Sequence, residues 1–224
     1  AMGDYGIVAF YRETESEVSG PAEALMQIYH LHLRYEKVPQ FPEAIASLAG
    51  QDTVFCVFER TVFKFRRLMQ YVYALNKPCM IVHRKDMPGV YHHLKVPVGY
   101  SQENKEKVVW ANFLQRNDRE CQVELVVPEE KDEHIAFMVK NNLAFIENIL
   151  QKSGARYART FPEGSFEKNL KRTFQESNGG VVLIMRPFRI FSFYFPYVLR
   201  LFRKYARTPV LIIPRDDSLY VPCH

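Results

Sequence analysis

Few residues of this chain stand in patterns that do chemistry. His92 and His93 are adjacent, and neighbours on an extended chain point to opposite faces, which makes a poor chelate. His30 and His32 are two apart and do not face each other on a helix. His134 opens a helical stretch among acidic residues. No GxSxG, HExxH or GxxxxGK[ST] pattern occurs, and no Ser or Cys has the local surroundings of a nucleophile. These absences predict a non-enzymatic protein without metal or cofactor. What remains is basic. Arg186 and Arg189 follow the apolar run VVLIM, and ligands of open α/β sheets sit beyond the carboxyl ends of strands. With Gly99, Tyr100 and Ser101 on the other side, the two arginines form a candidate anion pocket.

Those arginines lie in IMRPFRIFSFYFPYVLRLFRKYARTPVLIIP (184–214), which has six Lys or Arg, no Asp or Glu and no glycine. Its longest apolar run, Ile190 to Leu199, contains Pro196. It falls short of the roughly 18 residues that span a bilayer. Nucleic-acid binding is not expected. The aromatics Phe188, Phe191, Phe193 and Phe195 need a partner surface. Together with Val210, Leu211 and Ile213 of the final apolar run they form a candidate association surface. The net charge of +5 lies wholly in the second part, since residues 1–93 hold ten basic and ten acidic side chains. Four cysteines without a CxxC pair argue against structural zinc. Cys56 and Cys79 sit in apolar runs and read as buried free thiols, which favours a reducing, cytoplasmic setting. Ala1-Met2-Gly3 reads as an added leader, and no secretory signal follows it.

The elements that must position these residues repeat along the chain. NKPCMIVHRKD (76–86) matches RTPVLIIPRDD (207–217). Upstream, RRLMQYVYAL matches YVLRLFRKYA, TVFCVFER matches GVVLIMRP, and GIVAFYRE (6–13) matches KVPVGYSQ (95–102). The second copy alternates strand and helix through five strands, with Ser101 and Ser165 as helix caps and Gly154 as a helix stop. The first copy reads as strand 6–11, helix 22–35, helix 42–49, strand 53–58, helix 65–75 and strand 78–83. The repeat is displaced by 89 residues at its start and 131 at its end. The first copy is therefore shorter, by the length of two strands and a helix. Continuously apolar strands predict parallel pairing with helices on both faces.

This organisation resembles the universal stress protein family, as a tandem pair with a shortened first copy. LKVPVGYSQENKEKVVWA is similar to the family's opening strand and helix, VELVVPEE to its second strand, LIMRP to its fourth, and YARTPVLIIPRD to its last helix and strand. The resemblance implies an open, mainly parallel five-stranded sheet with helices on both faces, the adenine nucleotide alpha hydrolase-like fold. It implies a truncated unit over residues 4–91 and a complete one over 92–217. Nucleotide-binding members carry G-x-x-G-x(9)-G-[ST] after the fourth strand, where glycines let backbone approach the phosphates. Here no glycine follows Gly180, and none lies between Gln51 and Pro88. The acidic residue that ends the first strand in those members is replaced by Gly99, and in the first copy by Phe10. ATP binding by the family's loop is thus not expected.

The reading is a regulatory or stress-response protein that acts by binding a partner, or by self-association through its last strands. A cytoplasmic regulatory domain of a cation/proton antiporter is the alternative, with contact to a membrane transporter. A nucleotide or small-anion binder with a non-standard pocket is the third. The last strands, apolar throughout, are expected to pair with each other or with another chain, because an open apolar edge invites aggregation.

Overall fold

The computed structural model describes residues 6–100, 104–176, 179–186 and 197–215. The chain starts with β1 (Gly6–Tyr11), α1 (Ser19–Tyr29), β2 (His32–Lys37), α2 (Ile45–Ala49), β3 (Thr53–Glu59), α3 (Phe65–Leu75) and β4 (Cys79–Val82). It continues with β5 (His93–Pro97), α4 (Asn104–Asn117), β6 (Gln122–Val126), α5 (Glu133–Lys152) and β7 (Tyr157–Thr160). It closes with α6 (Phe166–Gln175), β8 (Val181–Met185), α7 (Tyr197–Tyr205) and β9 (Val210–Ile213).

Among the described residues the strands form one nine-stranded sheet, ordered β2-β1-β3-β4-β9-β8-β5-β6-β7. Neighbours are parallel except at the centre, where β4 and β9 run antiparallel with Met80 opposite Leu211. The last strands of the two halves thus pair within the chain. Side chains alternate across the sheet. Ile7, Phe55, Met80, Leu183 and Leu211 pack with α1, α4 and α5 on one face. Val8, Cys56, Ile81, Val182 and Val210 pack with α2, α3, α6 and α7 on the other. Central strands buried on both faces must be apolar at every position, which is why these segments read as unbroken apolar runs.

Helix ends follow local chemistry. Asp132 caps α5, its carboxylate accepting from the Ile135 N–H at 3.0 Å. Ser165 caps α6 through the Lys168 N–H at 3.4 Å. Gly154, at φ +69°, stops α5, and the Ala155 N–H returns to the Leu150 carbonyl at 2.8 Å.

One helix expectation fails. The stretch 22–35 is not one helix: α1 ends at Tyr29, and β2 follows. His30 takes a left-handed conformation, φ 53°, and the Leu31 N–H closes on the Met26 carbonyl at 3.2 Å. Beyond it, His32-Leu33-Arg34-Tyr35 alternates exposed and half-buried positions, which is strand periodicity at a solvated edge. On α7 the buried residues are Leu199, Leu201 and Phe202. Tyr197, which opens the helix, is exposed.

Candidate functional site

The carboxyl ends of β5 and β8 lie side by side, because the two strands are parallel neighbours. This brings Gly99 and Tyr100 to the same sheet edge as Arg186. The turn after β5 is held from below. Val98 N–H donates to the Val126 carbonyl at 2.9 Å. Asn142 of α5 donates its Nδ2 to the Gly99 carbonyl at 2.8 Å. Lys107 of α4 donates its Nζ to the Pro97 carbonyl at 2.6 Å. Tyr100 is exposed.

Lys107 is the unusual member. It is buried without a carboxylate partner among the described residues. Burial disfavours its charged form and lowers its pKa from 10.5 to about 7. Its signature in sequence is weak, a lysine amid the charged residues that open α4. Only the packing of α4 on the sheet sends it inward.

Arg186 leaves the pocket. Its backbone N–H extends the sheet to the Ile213 carbonyl at 2.7 Å. Its guanidinium crosses to the other half, donating to the Val72 and Tyr73 carbonyls at 3.5 and 3.4 Å and to Asn76 Oδ1 at 2.8 Å. It also lies 5.2 Å from the centre of the Tyr73 ring. Its donors therefore serve the carboxyl end of α3, whose last carbonyls lack helical partners. Arg60, which sequence reasoning did not single out, holds the matching place after β3. It donates to the Arg203 carbonyl at 2.6 Å and to the Ala206 carbonyl, and stands over Phe202.

Ser101, Phe188, Arg189, Phe191, Phe193 and Phe195 lie outside the described residues. Val210, Leu211 and Ile213 are buried in β9 between β8 and β4, so their strand partner is this chain's own β4.

His30, His92 and His93 sit at the opposite edge. His92 Nδ1 is 2.7 Å from Asp118 Oδ2, and the Asp118 side chain is almost fully buried. A groove of about 800 Å³ lies there, lined by His30, His92, Arg116, Asp118, Arg119 and Glu120 among others. His93 instead starts β5 and is exposed. Among the described residues, no group of three or more His, Cys, Asp or Glu is placed to hold a metal. Cys56, Cys79 and Cys121 are buried free thiols. No helix of the described residues is long and apolar enough to cross a membrane.

No protein-family model matches the chain, and no curated protein matches it in sequence. Solved structures match its fold. A universal stress protein from Archaeoglobus fulgidus DSM 4304 superposes with a TM-score of 0.61 at 13% identity, covering 95% of this chain and 87% of that one. A functionally unknown protein from Pseudomonas aeruginosa PAO1 gives 0.57 at 11% identity, over 94% and 82%. A provisional universal stress protein from Pseudomonas aeruginosa UCBPP-PA14 gives 0.59 at 12% identity, over 96% and 85%. The α/β architecture is therefore that of the universal stress proteins, and the similarity runs through both halves of the sheet.

Proposed function

We propose that this protein is a universal-stress-type regulatory protein of the cytoplasm, without catalysis of its own, that works by binding a partner and not by holding ATP in the family's loop. The observation that carries this reading is the stretch after β8. Where nucleotide-binding members have glycines, residues 187–196 supply Pro187, five aromatics and no glycine. Bulky side chains there obstruct the close backbone approach that phosphates require. The donors of Arg186 are turned to α3, which weakens the alternative of an anion held between Arg186 and Gly99.

We read the chain further as two unequal units, 4–91 and 92–217. The strand order supports this. Counted outward from the central pair, one half runs β4-β3-β1-β2 and the other β9-β8-β5-β6-β7. On this reading the first unit lacks one strand and a helix, not two strands and a helix, because β2 was hidden in the expected helix. If Cys79 of β4 answers to Val210 of β9, as this reading requires, then Cys56 answers to Val182 and Val8 to Lys95. Arg12, not Phe10, then answers to Gly99, and neither position offers a carboxylate.

Thermal denaturation with ATP, AMP and cyclic dinucleotides tests the proposal. A ligand at 100 times its dissociation constant adds roughly 2.7 kcal/mol of stability. No shift is expected, and a shift with ATP removes the reading. Replacing Phe188, Phe191, Phe193 and Phe195 by Ser is expected to abolish partner capture with the fold intact. The antiporter alternative makes a separate prediction. The gene upstream of Asp4 would then encode a series of apolar segments of about 20 residues.

A further inference from the structure

The charge of this protein is concentrated on one face. Within α6 and the stretch 197–207 stand Lys168, Lys171, Arg172, Arg200, Arg203, Lys204 and Arg207 against Glu167 alone, an excess of six in a chain whose whole net charge is +5. The two helices pack against each other. Both lie flat, since Leu170 and Phe174 of α6 and Leu199 and Phe202 of α7 are buried in the core beneath them.

The fold gives these cations little back. Among the described residues, none of Lys171, Arg172, Arg203, Lys204 and Arg207 forms an ion pair. Lys171 and Lys204 crowd the same ring, their Nζ atoms 4.8 and 5.2 Å from the centre of Tyr205. A hydrogen bond from Lys204, helped by the positive charge of both ammonium groups, holds the Tyr205 phenol below its usual pKa. Dipole complementarity explains cations in a helix's last turn. It explains neither Lys168 and Arg200 in the earlier turns nor two ammonium groups sharing one ring. Such crowding is self-repulsive until an anionic surface relieves it.

We propose that the α6–α7 face docks on an anionic phospholipid bilayer. A flat face suits a plane. Reading duplex DNA takes an element that enters a groove, and both helices here are sunk against the sheet. Tyr197, 37% exposed, opens α7, and the Arg200 guanidinium lies 5.7 Å from the centre of its ring. The basic face therefore carries an aromatic body at the end where α7 starts. Aromatic bodies and long cationic side chains are the groups that settle at the lipid–water boundary. The partner-binding role above is independent of this contact.

Sedimentation of the full chain with vesicles tests it, using phosphatidylcholine alone and phosphatidylcholine mixed with phosphatidylserine, at low and high salt. Binding is expected to the anionic vesicles only, and to fall with salt. Each neutralised cation weakens it about fivefold, so Lys171→Gln, Arg203→Gln and Lys204→Gln together weaken it about a hundredfold. The circular dichroism spectrum stays that of the wild type. If the triple variant misfolds, Lys171→Gln and Lys204→Gln measured singly carry the same comparison. Lys140→Gln with Lys152→Gln on α5 leaves binding unchanged. Failure of the folded wild type to sediment with anionic vesicles at low salt overturns the proposal. So does preferential binding of duplex DNA or polyglutamate when either competes with the vesicles.

Discussion

Arg60 and Arg186 tie the two halves of the sheet together reciprocally: each follows a strand of one half and caps the last helix of the other. Arg60 reaches the carbonyls of Arg203 and Ala206 at the end of α7, and Arg186 reaches those of Val72 and Tyr73 at the end of α3. Between them run β4 and β9, paired about Met80 and Leu211. The bonds satisfy carbonyls that a helix leaves without partners. They also carry charge, which makes them stronger than neutral hydrogen bonds.

Removing either arginine should therefore destabilise the whole sheet. Arg60→Ala and Arg186→Ala are each expected to cost about 1–3 kcal/mol, read from urea denaturation. Lysine should rescue neither, because an ammonium cannot fork to two carbonyls as a guanidinium does. A fully stable Arg186→Ala variant would contradict the bracing role and return the residue to the ligand pocket.

Lys107 makes stability depend on alkaline pH. Its folded pKa is about 7 against 10.5 unfolded, so between these values the unfolded chain binds the extra proton. Folding is penalised below pH 7 and relieved as pH rises towards 10.5. Lys107→Met should be more stable than wild type at pH 7 by a few kcal/mol, and the gap should close by about pH 10. A gap that does not change with pH would show that the amine is hydrated in the folded state.

Gly180 is required where β8 starts. Its φ is +101°, and an added Cβ would stand 2.6 Å from the His93 carbonyl oxygen of β5. Because that oxygen is backbone, the neighbour cannot swing away. Gly180→Ala is expected to lose more than about 1–3 kcal/mol, visible as a lowered melting temperature. Gly154→Ala, with positive φ but nothing near its added Cβ, should cost less.

The seam between β4 and β9 is buried, with Met80 and Leu211 paired at its middle. Leu211→Ala should cost about 2–5 kcal/mol through lost burial and the cavity left behind. Loss of a single cooperative unfolding transition would show that the halves separate before they unfold.

The three described cysteines should resist thiol reagents in the native protein. All are buried, and burial moves the Cys121 thiol up to about 12, so thiolate is scarce. Titration with a chromogenic disulfide should register them only on unfolding.

The sequence by itself determined the alternation of strand and helix, the cap at Ser165 and the stop at Gly154, the apolar central strands and the absence of a glycine loop after β8. Each is local: periodicity, turn chemistry or the presence of a residue type. β2 was legible too, as the alternation His32 to Lys37, but the stretch 22–35 read as one helix. The left-handed turn at His30 decided between them. What only the tertiary structure decided involves partners far apart in the chain. Arg186 meets Asn76, 110 residues away, and Arg60 meets Arg203, 143 residues away. Lys107 turns inward under β5, and β4 chooses β9. An arginine after a strand looks the same in sequence whether it waits for an anion or caps a helix. Its role is set by which carbonyls the assembled sheet brings within reach, and that depends on a register fixed only when both halves pack.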